Sequence, residues 1–311
     1  MIIKEKGSWI RFLFHFKGSS FEEIWPRILI VTVSATIATY IGLRFNLQGY
    51  TLTTTPFTLI GVALSIFLGF RNNAAYDRFW EGRKLWGSLV NTSRSLARQA
   101  FSLIDSPHDD KALQQFREVF VRRVIAFVHA MRCHLRDEDP TEEIKKFLPP
   151  EDLRVVIKST HRPLAILQQL GLDLAFARNK GWLHELNLPF IDAQLVELSN
   201  ILGACERLKN TPIPFTYNVL IRRIVAYYCF FLPFGLIDTT GVATPIVVLL
   251  ISHAFFGLDA IGDEIECPFD KQPNNLPLMA ISRSIEINLL ELINNPDRPG
   301  PIKPTKDNIL W

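Results

Sequence analysis

The sequence predicts an all-α integral membrane protein, with four membrane-spanning helices and a large helical region that faces water. Three observations carry this. Apolar residues make up 48% of the 311-residue chain and the mean hydropathy is +0.14, yet 21% of residues are charged. Averages of this kind arise when apolar and charged stretches are segregated, so their placement decides the class. Charge-free stretches fall in two pairs, one before residue 71 and one after 223. Between them, charged and apolar residues alternate at helical spacing, and no strand-type alternation of useful length is present.

The N-terminal segment 1–23 carries Lys4, Lys6, Arg11 and Lys17 and has no long apolar stretch before a small-residue cleavage site, so no secretory leader is expected. Residues 24–70 hold the first pair of spans. Ile28–Leu43 (ILIVTVSATIATYIGL) lies between Arg27 and Arg44. Snorkelling of both arginines, with Trp25 and Tyr40 near the ends, extends it to the roughly 20 residues a bilayer needs. Phe45–Phe70 is also free of charge. Its first part, NLQGYTLTTTP, is turn and cap material: Thr54 or Thr55 suits the N-cap and Pro56 the first turn. The second helix therefore starts near Pro56, and its pattern runs on to about residue 100.

Residues 71–216 read as amphipathic helices in water. Leu85, Leu89, Ser93 and Leu96 share one helical face, as do Leu195, Leu198, Ile201 and Leu202. Breaks are expected at 105–110, 136–140, 148–152 and 187–190, where Pro, Asp and Asn gather. Residues 217–260 hold the second pair of spans: Ile224–Ile237, then Thr239–Leu258, joined by a tight turn at "DTTG" whose Asp238 marks it as wet. From 261 to 311 the chain is polar and Pro-rich, with one amphipathic helix around Ala280–Leu292. Lys and Arg flank the long segments and are absent from 46–54 and 238–241, so the positive-inside rule puts both termini and the 71–216 region in the cytoplasm.

Composition excludes several classes. A net charge of +3 is too mild for a nucleic-acid partner. The four cysteines, Cys133, Cys205, Cys229 and Cys267, lie far apart with no CxxC, which fits reduced thiols. No Walker loop, GxGxxG, GxSxG or HExxH is present, and no catalytic set emerges. His129, Cys133 and His134 sit together in "HAMRCH", but two or three ligands without a further partner read as helix packing. Asp77, Arg78, Glu81 and Lys84 are spaced for i+3 and i+4 pairing, a salt-bridge network expected to hold the cytosolic end of the helix against its neighbours.

Two stripes mark the second span. Gly61, Ser65 and Gly69 are small residues every four positions, a pattern that lets helices approach closely in lipid. Beside them run Val62, Ile66 and Phe70. On a helix packed against copies of itself, such a stripe makes a narrow apolar ring, which gates a pore by dewetting. Spacing alone equally allows plain packing. No charge lies inside this span, which argues against a proton-coupled transporter.

"FLGFRNNAAYDRFWEGRKLWGSLVNTSRSLARQ" (Phe67–Gln99) closely resembles the signature of prokaryotic members of the bestrophin channel family. "ACERLKNTPIPFTY" (Ala204–Tyr217) and "DEIECPFDKQPNNLPL" (Asp263–Leu278) resemble two further motifs, in the family's order. The resemblance implies a homopentamer in the bacterial inner membrane with one central pathway for monovalent ions, lined by the second helix of each subunit. It carries the hydrophobic neck onto Val62, Ile66 and Phe70, and a second constriction onto Ile191 with Phe190 as neighbour. Prokaryotic relatives are associated with cations, sodium especially, and animal relatives with chloride. The calcium clasp of animal relatives is not intact: Cys267 and Asp270 replace two of its residues, and KQPNN follows instead of an acidic run. Asp263, Glu264, Glu266 and Asp270 remain as an alternative acidic cluster, with Glu264 and Glu266 expected instead to pair with Arg or Lys of a neighbouring subunit. No cofactor is expected. The competing classes are a soluble helical binding protein, which a carbonate wash would release, and a transporter, which gives no unitary current steps.

Overall fold

Proline marks most of the helix starts in the computed structural model, which describes residues 1–2, 18, 20–45, 53–106 and 111–311. The lysines and arginine of the N-terminal segment, most of the 46–54 connection, His15 and His108 lie outside the described residues. The helices are α1 (Phe21–Arg44), α2 (Thr54–Ser102), α3 (Lys111–Leu135), α4 (Thr141–Ile144), α5 (Pro150–Lys158), α6 (Arg162–Asn179), α7 (Leu188–Asn210), α8 (Phe215–Thr240), α9 (Thr244–Glu266) and α10 (Leu278–Leu292). Pro150, Pro163, Pro189 and Pro245 occupy first-turn positions, where the missing N–H costs nothing and the ring presets φ. Among the described residues an isolated antiparallel β-bridge joins Ile104 and Leu183.

The breaks expected at 105–110, 136–140 and 148–152 fall at or beside helix ends, while the one expected at 187–190 lies just before that range, at 180–187, because Pro189 opens α7. α3 stops at Leu135, and Asp137 then takes a φ of 54°, a conformation that Asp tolerates better than most residues. One further break was not legible: Ser159–His161 separates α5 from α6. There the His161 side chain caps α6, its Nδ1 accepting from the Leu164 N–H at 3.3 Å.

The chain divides into two compact units. One comprises Ile2–Phe79 and Pro212–Pro268, the other Met1, Trp80–Thr211 and Phe269–Trp311. The first, the membrane unit, holds α1, the first half of α2, α8 and α9. Its core is built from Ile24, Ile28, Val31, Phe57, Leu64, Leu68, Val225, Leu232, Val248 and Phe256. Its outer surface is also apolar, with Leu29, Ile30, Val33, Ile37, Tyr227, Phe231 and Leu250 exposed. Helices apolar on both faces suit lipid, where the backbone polar groups must be satisfied within each segment. Three segments are long and apolar enough to cross a membrane, and the third, Phe215–Glu266, contains both α8 and α9.

The turn between these two helices departs from the expectation. α8 runs through Asp238 to Thr240, and the reversal is made by a 3₁₀ turn at Gly241–Ala243. Gly241 has a φ of 52°, which a residue without Cβ adopts freely, so the turn forms there rather than at Asp238.

In the helical unit, α3 is buried almost all round, from Phe120 to Leu135, with α6 and α10 packed on it. α10 buries Leu278, Ile285, Leu289 and Leu290. The C-terminal segment is thus not separate: from Phe269 onward it belongs to the same unit as 80–211.

Candidate functional site

The membrane half of α2 has two unlike faces. Phe57, Gly61, Leu64, Leu68, Arg71 and Ala75 are buried, at steps of three and four residues. This stripe packs the helix into its own unit. At about 100° per residue, Val62, Ile66 and Phe70 fall on roughly the opposite side. They are 57%, 52% and 63% exposed, large apolar groups left uncovered by the described residues. α2 is continuous for 49 residues, so this face passes into the charged stretch without a break.

The small-residue stripe is not one contact surface. A Cβ at Gly61 would lie 2.6 Å from the Tyr228 hydroxyl, so this glycine lets α8 approach within the unit. Ser65 turns its hydroxyl back to the Gly61 carbonyl at 2.8 Å. A Cβ at Gly69 would meet nothing within 4 Å among the described residues. Of the three, only Gly61 is buried, while Ser65 and Gly69 are exposed.

Arg71, which the charge pattern placed at a watery exit, is buried. Its guanidinium donates to Asp259 and Asp263 on α9. Asp263 also pairs with Arg222 of α8, and Arg27 of α1 approaches Asp259 at 3.9 Å. Asn72 donates to the Leu258 carbonyl at 3.1 Å, and Arg78 to the Glu266 carbonyl at 3.0 Å. Side chains of α2 thus bond along α9 over two turns. Buried charge in an apolar unit persists when both signs and their hydrogen bonds are supplied together.

The charges after Arg71 tie α2 to its neighbours: Arg78 reaches α9, and Glu81 pairs with Arg207 of α7 at 2.8 Å. Of the candidate acidic residues, Asp263 and Glu266 are engaged separately within their own unit. Asp263 is taken by arginines, while Glu266 accepts from the Ile213 N–H at 2.8 Å and the Asn218 amide at 3.1 Å within its own chain. Asp270 lies in the other unit, where its carbonyl faces Arg136.

Ile191, expected at a second constriction, is 0% exposed and belongs to the core of the helical unit. Its side chain lines no open surface, because the helical period turns it inward. Its neighbour Phe190 is 64% exposed and is the residue free to face outward.

The "HAMRCH" residues also separate. His129 sits between Glu286 and Glu143, its Nε2 3.0 Å from one and its Nδ1 3.2 Å from the other. The Cys133 sulfur accepts from Arg132 at 3.1 Å. His134 instead meets His161 and Glu206, residues that no motif had joined to it. These are the three side chains among the described residues with metal-ligand proximity.

Comparison with known proteins gives the family. The Bestrophin_2 model, described as bacterial/fungal bestrophin protein, matches residues 1–291. The chain belongs to the bacterial and fungal bestrophin family. A voltage-dependent anion channel-forming protein of Ralstonia nicotianae is 38% identical over 296 residues, 95% of each chain. YneE of Salmonella typhi, which carries the same descriptive name, is 38% identical over 98% of both chains. The crystal structure of a bacterial bestrophin homolog from Klebsiella pneumoniae matches with a TM-score of 0.81 at 36% identity, over 87% of this chain and 98% of that one. As a bestrophin, the chain is a membrane protein of a channel-forming family and not an enzyme.

In this bestrophin the Arg71–Asp259 pair had a readable signal. Each residue directly follows a charge-free span, Phe45–Phe70 and Thr239–Leu258. Two helices running the same way across a membrane bring such residues to one depth. The pairing needed both spans to be compared, not each read alone.

Proposed function

We propose that the chain is one subunit of a homopentameric ion channel whose central pathway is narrowed by rings of Val62, Ile66 and Phe70. The observation that carries this is the exposed face of α2: three large apolar side chains, four residues apart, opposite the stripe that packs the helix into its own subunit. Water leaves such a ring readily, so the ring blocks hydrated ions until it widens. Val62 is the smallest of the three and makes the outermost ring the widest. Phe190 is the better candidate for a second constriction. With four crossings both termini lie on one side, and the Lys and Arg that flank the spans favour the cytoplasmic side of a bacterial inner membrane. Opening does not require calcium, since Asp263 and Glu266 are engaged by arginines and backbone.

We infer monovalent cations, sodium among them, as the carried ions, from the resemblance to the prokaryotic branch. A second reading, anion passage, is favoured by the names of the Ralstonia and Salmonella relatives. An apolar neck does not set the sign; charge in the vestibules does.

Planar-bilayer recording in a sodium chloride gradient separates the two readings. A reversal potential near that of sodium supports the first, and one near that of chloride the second. Absence of unitary steps with well-assembled protein would end the channel reading. Ile66→Ala is expected to raise conductance several-fold, and the triple alanine variant more. Unchanged current and gating in the triple variant would make Val62, Ile66 and Phe70 packing residues.

A further inference from the structure

We propose that His134, His161 and Glu206 form a binding site for a divalent cation of the zinc type, which ties α3, α6 and α7 together. The His134 Nε2 lies 2.8 Å and the His161 Nε2 2.7 Å from the same Glu206 oxygen. The two rings are 4.6 Å apart and tilted by 36°, so they converge on the carboxylate from different elements. All three donor atoms lie within 4.8 Å of one another, and each residue is half-buried, open enough for an ion to enter. Two imidazoles and one carboxylate are a donor set that zinc accepts, with the fourth position left to water.

The surroundings fit this. A cavity of about 280 Å³ beside His134 is lined by Asp137, Glu138, Ser159 and Arg162, with room for water. The nearby carboxylates have cationic partners: Asp137 takes Lys209 at 2.6 Å and Asp139 takes Arg162. Glu206, by contrast, is held by imidazoles. The three residues are separated by 27 and 45 positions, so the fold, not local sequence, brings them together.

The competing arrangement is a hydrogen-bonded triad in which both rings donate Nε2–H to Glu206. The two differ in where the protons sit. In the triad, the Leu164 N–H bonded to His161 Nδ1 requires the His161 proton on Nε2. A metal takes the Nε2 lone pair and moves that proton to Nδ1, which removes the helix cap. At 3.3 Å that cap is near the long limit for a hydrogen bond, and it is the contact that yields. Metal binding thus tightens the three-helix junction while loosening the first turn of α6.

The test uses the full-length protein in detergent, stripped with chelator and titrated with Zn²⁺ by calorimetry, with Co²⁺ absorption as an optical probe. One saturable Zn²⁺ per subunit is expected, with a Co²⁺ d–d band and no thiolate charge-transfer band. Losing even an outer-shell partner costs about 10–100-fold in metal affinity, so Glu206→Gln is expected to weaken binding at least about tenfold. Cys133→Ser is expected to leave it unchanged. Hydrogen exchange at residues 162–165 should speed up when Zn²⁺ is bound. Gel filtration checks assembly of each variant. His134→Ala and His161→Ala are expected to abolish saturable binding; if they do not assemble, Glu206→Gln, which keeps the shape of the side chain, decides. No saturable binding, or equal affinity in Glu206→Gln and the parent, overturns the site.

Discussion

Two buried charge clusters, one in each unit, use similar groups and answer differently to solution conditions. In the membrane unit, Arg71 bridges Asp259 and Asp263, with Arg222 alongside. In the helical unit, His129 bridges Glu286 and Glu143, with Arg132 on Glu143 at 2.5 Å and Arg283 on Glu286 at 3.3 Å. Every cation of the first is a guanidinium. The second contains an imidazole. Burial alone would lower the His129 pKa, but contact with the two glutamates outweighs burial and holds it raised. The helical unit therefore carries a junction of α3, α4 and α10 that pH can loosen, while the membrane unit is held by guanidinium–carboxylate pairs.

The largest test breaks the guanidinium–carboxylate pairs. Arg71→Leu leaves Asp259 buried without its guanidinium, and breaking a buried pair in this way costs about 3–5 kcal/mol. Thermal unfolding in detergent should show a marked fall, with loss of assembled protein. Because the cost is an uncompensated charge, Arg71→Leu with Asp259→Leu should recover much of it. A single variant as stable as the parent would mean that water reaches the cluster, and the contrast with His129 would collapse.

A smaller effect is expected in the helical unit. A raised histidine pKa contributes stability that is full below the unfolded value of 6.5 and lost as pH rises through the folded value. Melting temperature should thus decline above pH 6.5. Glu286→Gln removes one of the two anions that hold the proton and is expected to cost about 1.5–3 kcal/mol at pH 6, the range for a hydrogen bond to a charged group. The variant should lose most of the alkaline decline. An alkaline limb of the same size in both proteins would assign it to another group.

The difference between the clusters also explains what could be read from the sequence. The helical class, the apolar spans and most breaks were legible because period, charge gaps and proline positions are local signals. The α2 stripe of Val62, Ile66 and Phe70 was legible as a face, though its exposure required knowing which side Leu64 and Leu68 turn inward. Arg71, read as a watery exit, was placed by local charge alone, and its partner lies 188 positions away. His161 and Glu206 were invisible for the same reason: isolated residues in amphipathic helices acquire a role only through the packing of α3, α6 and α7. Ile191 failed differently. One residue along a helix rotates a side chain by about 100°, so an alignment off by one exchanges the buried Ile191 for the exposed Phe190.

A third cluster lies between the two extremes and gives the smallest effect. Arg123 of α3 donates to Asp152 of α5 at 2.8 Å and to Asp173 of α6 at 2.6 Å, one cation shared by two carboxylates. Burial pushes the Asp173 carboxyl up to about 6; the like charge of Asp152 adds to this, and Arg123 only partly offsets it. A raised carboxyl pKa means that the folded state holds the proton more firmly than the unfolded chain. This group's contribution is therefore greatest below pH 3.8 and falls as pH rises through about 6, the reverse of the usual salt-bridged aspartate. Asp173→Asn keeps a bond to Arg123 but removes the penalised charge. The change at pH 7 should be within about 1 kcal/mol, since a lost hydrogen bond and a relieved desolvation act in opposite directions. What should change is slope: between pH 4 and 6 the variant should gain stability relative to the parent. Parallel melting curves over that range would show that Arg123 compensates both carboxylates fully.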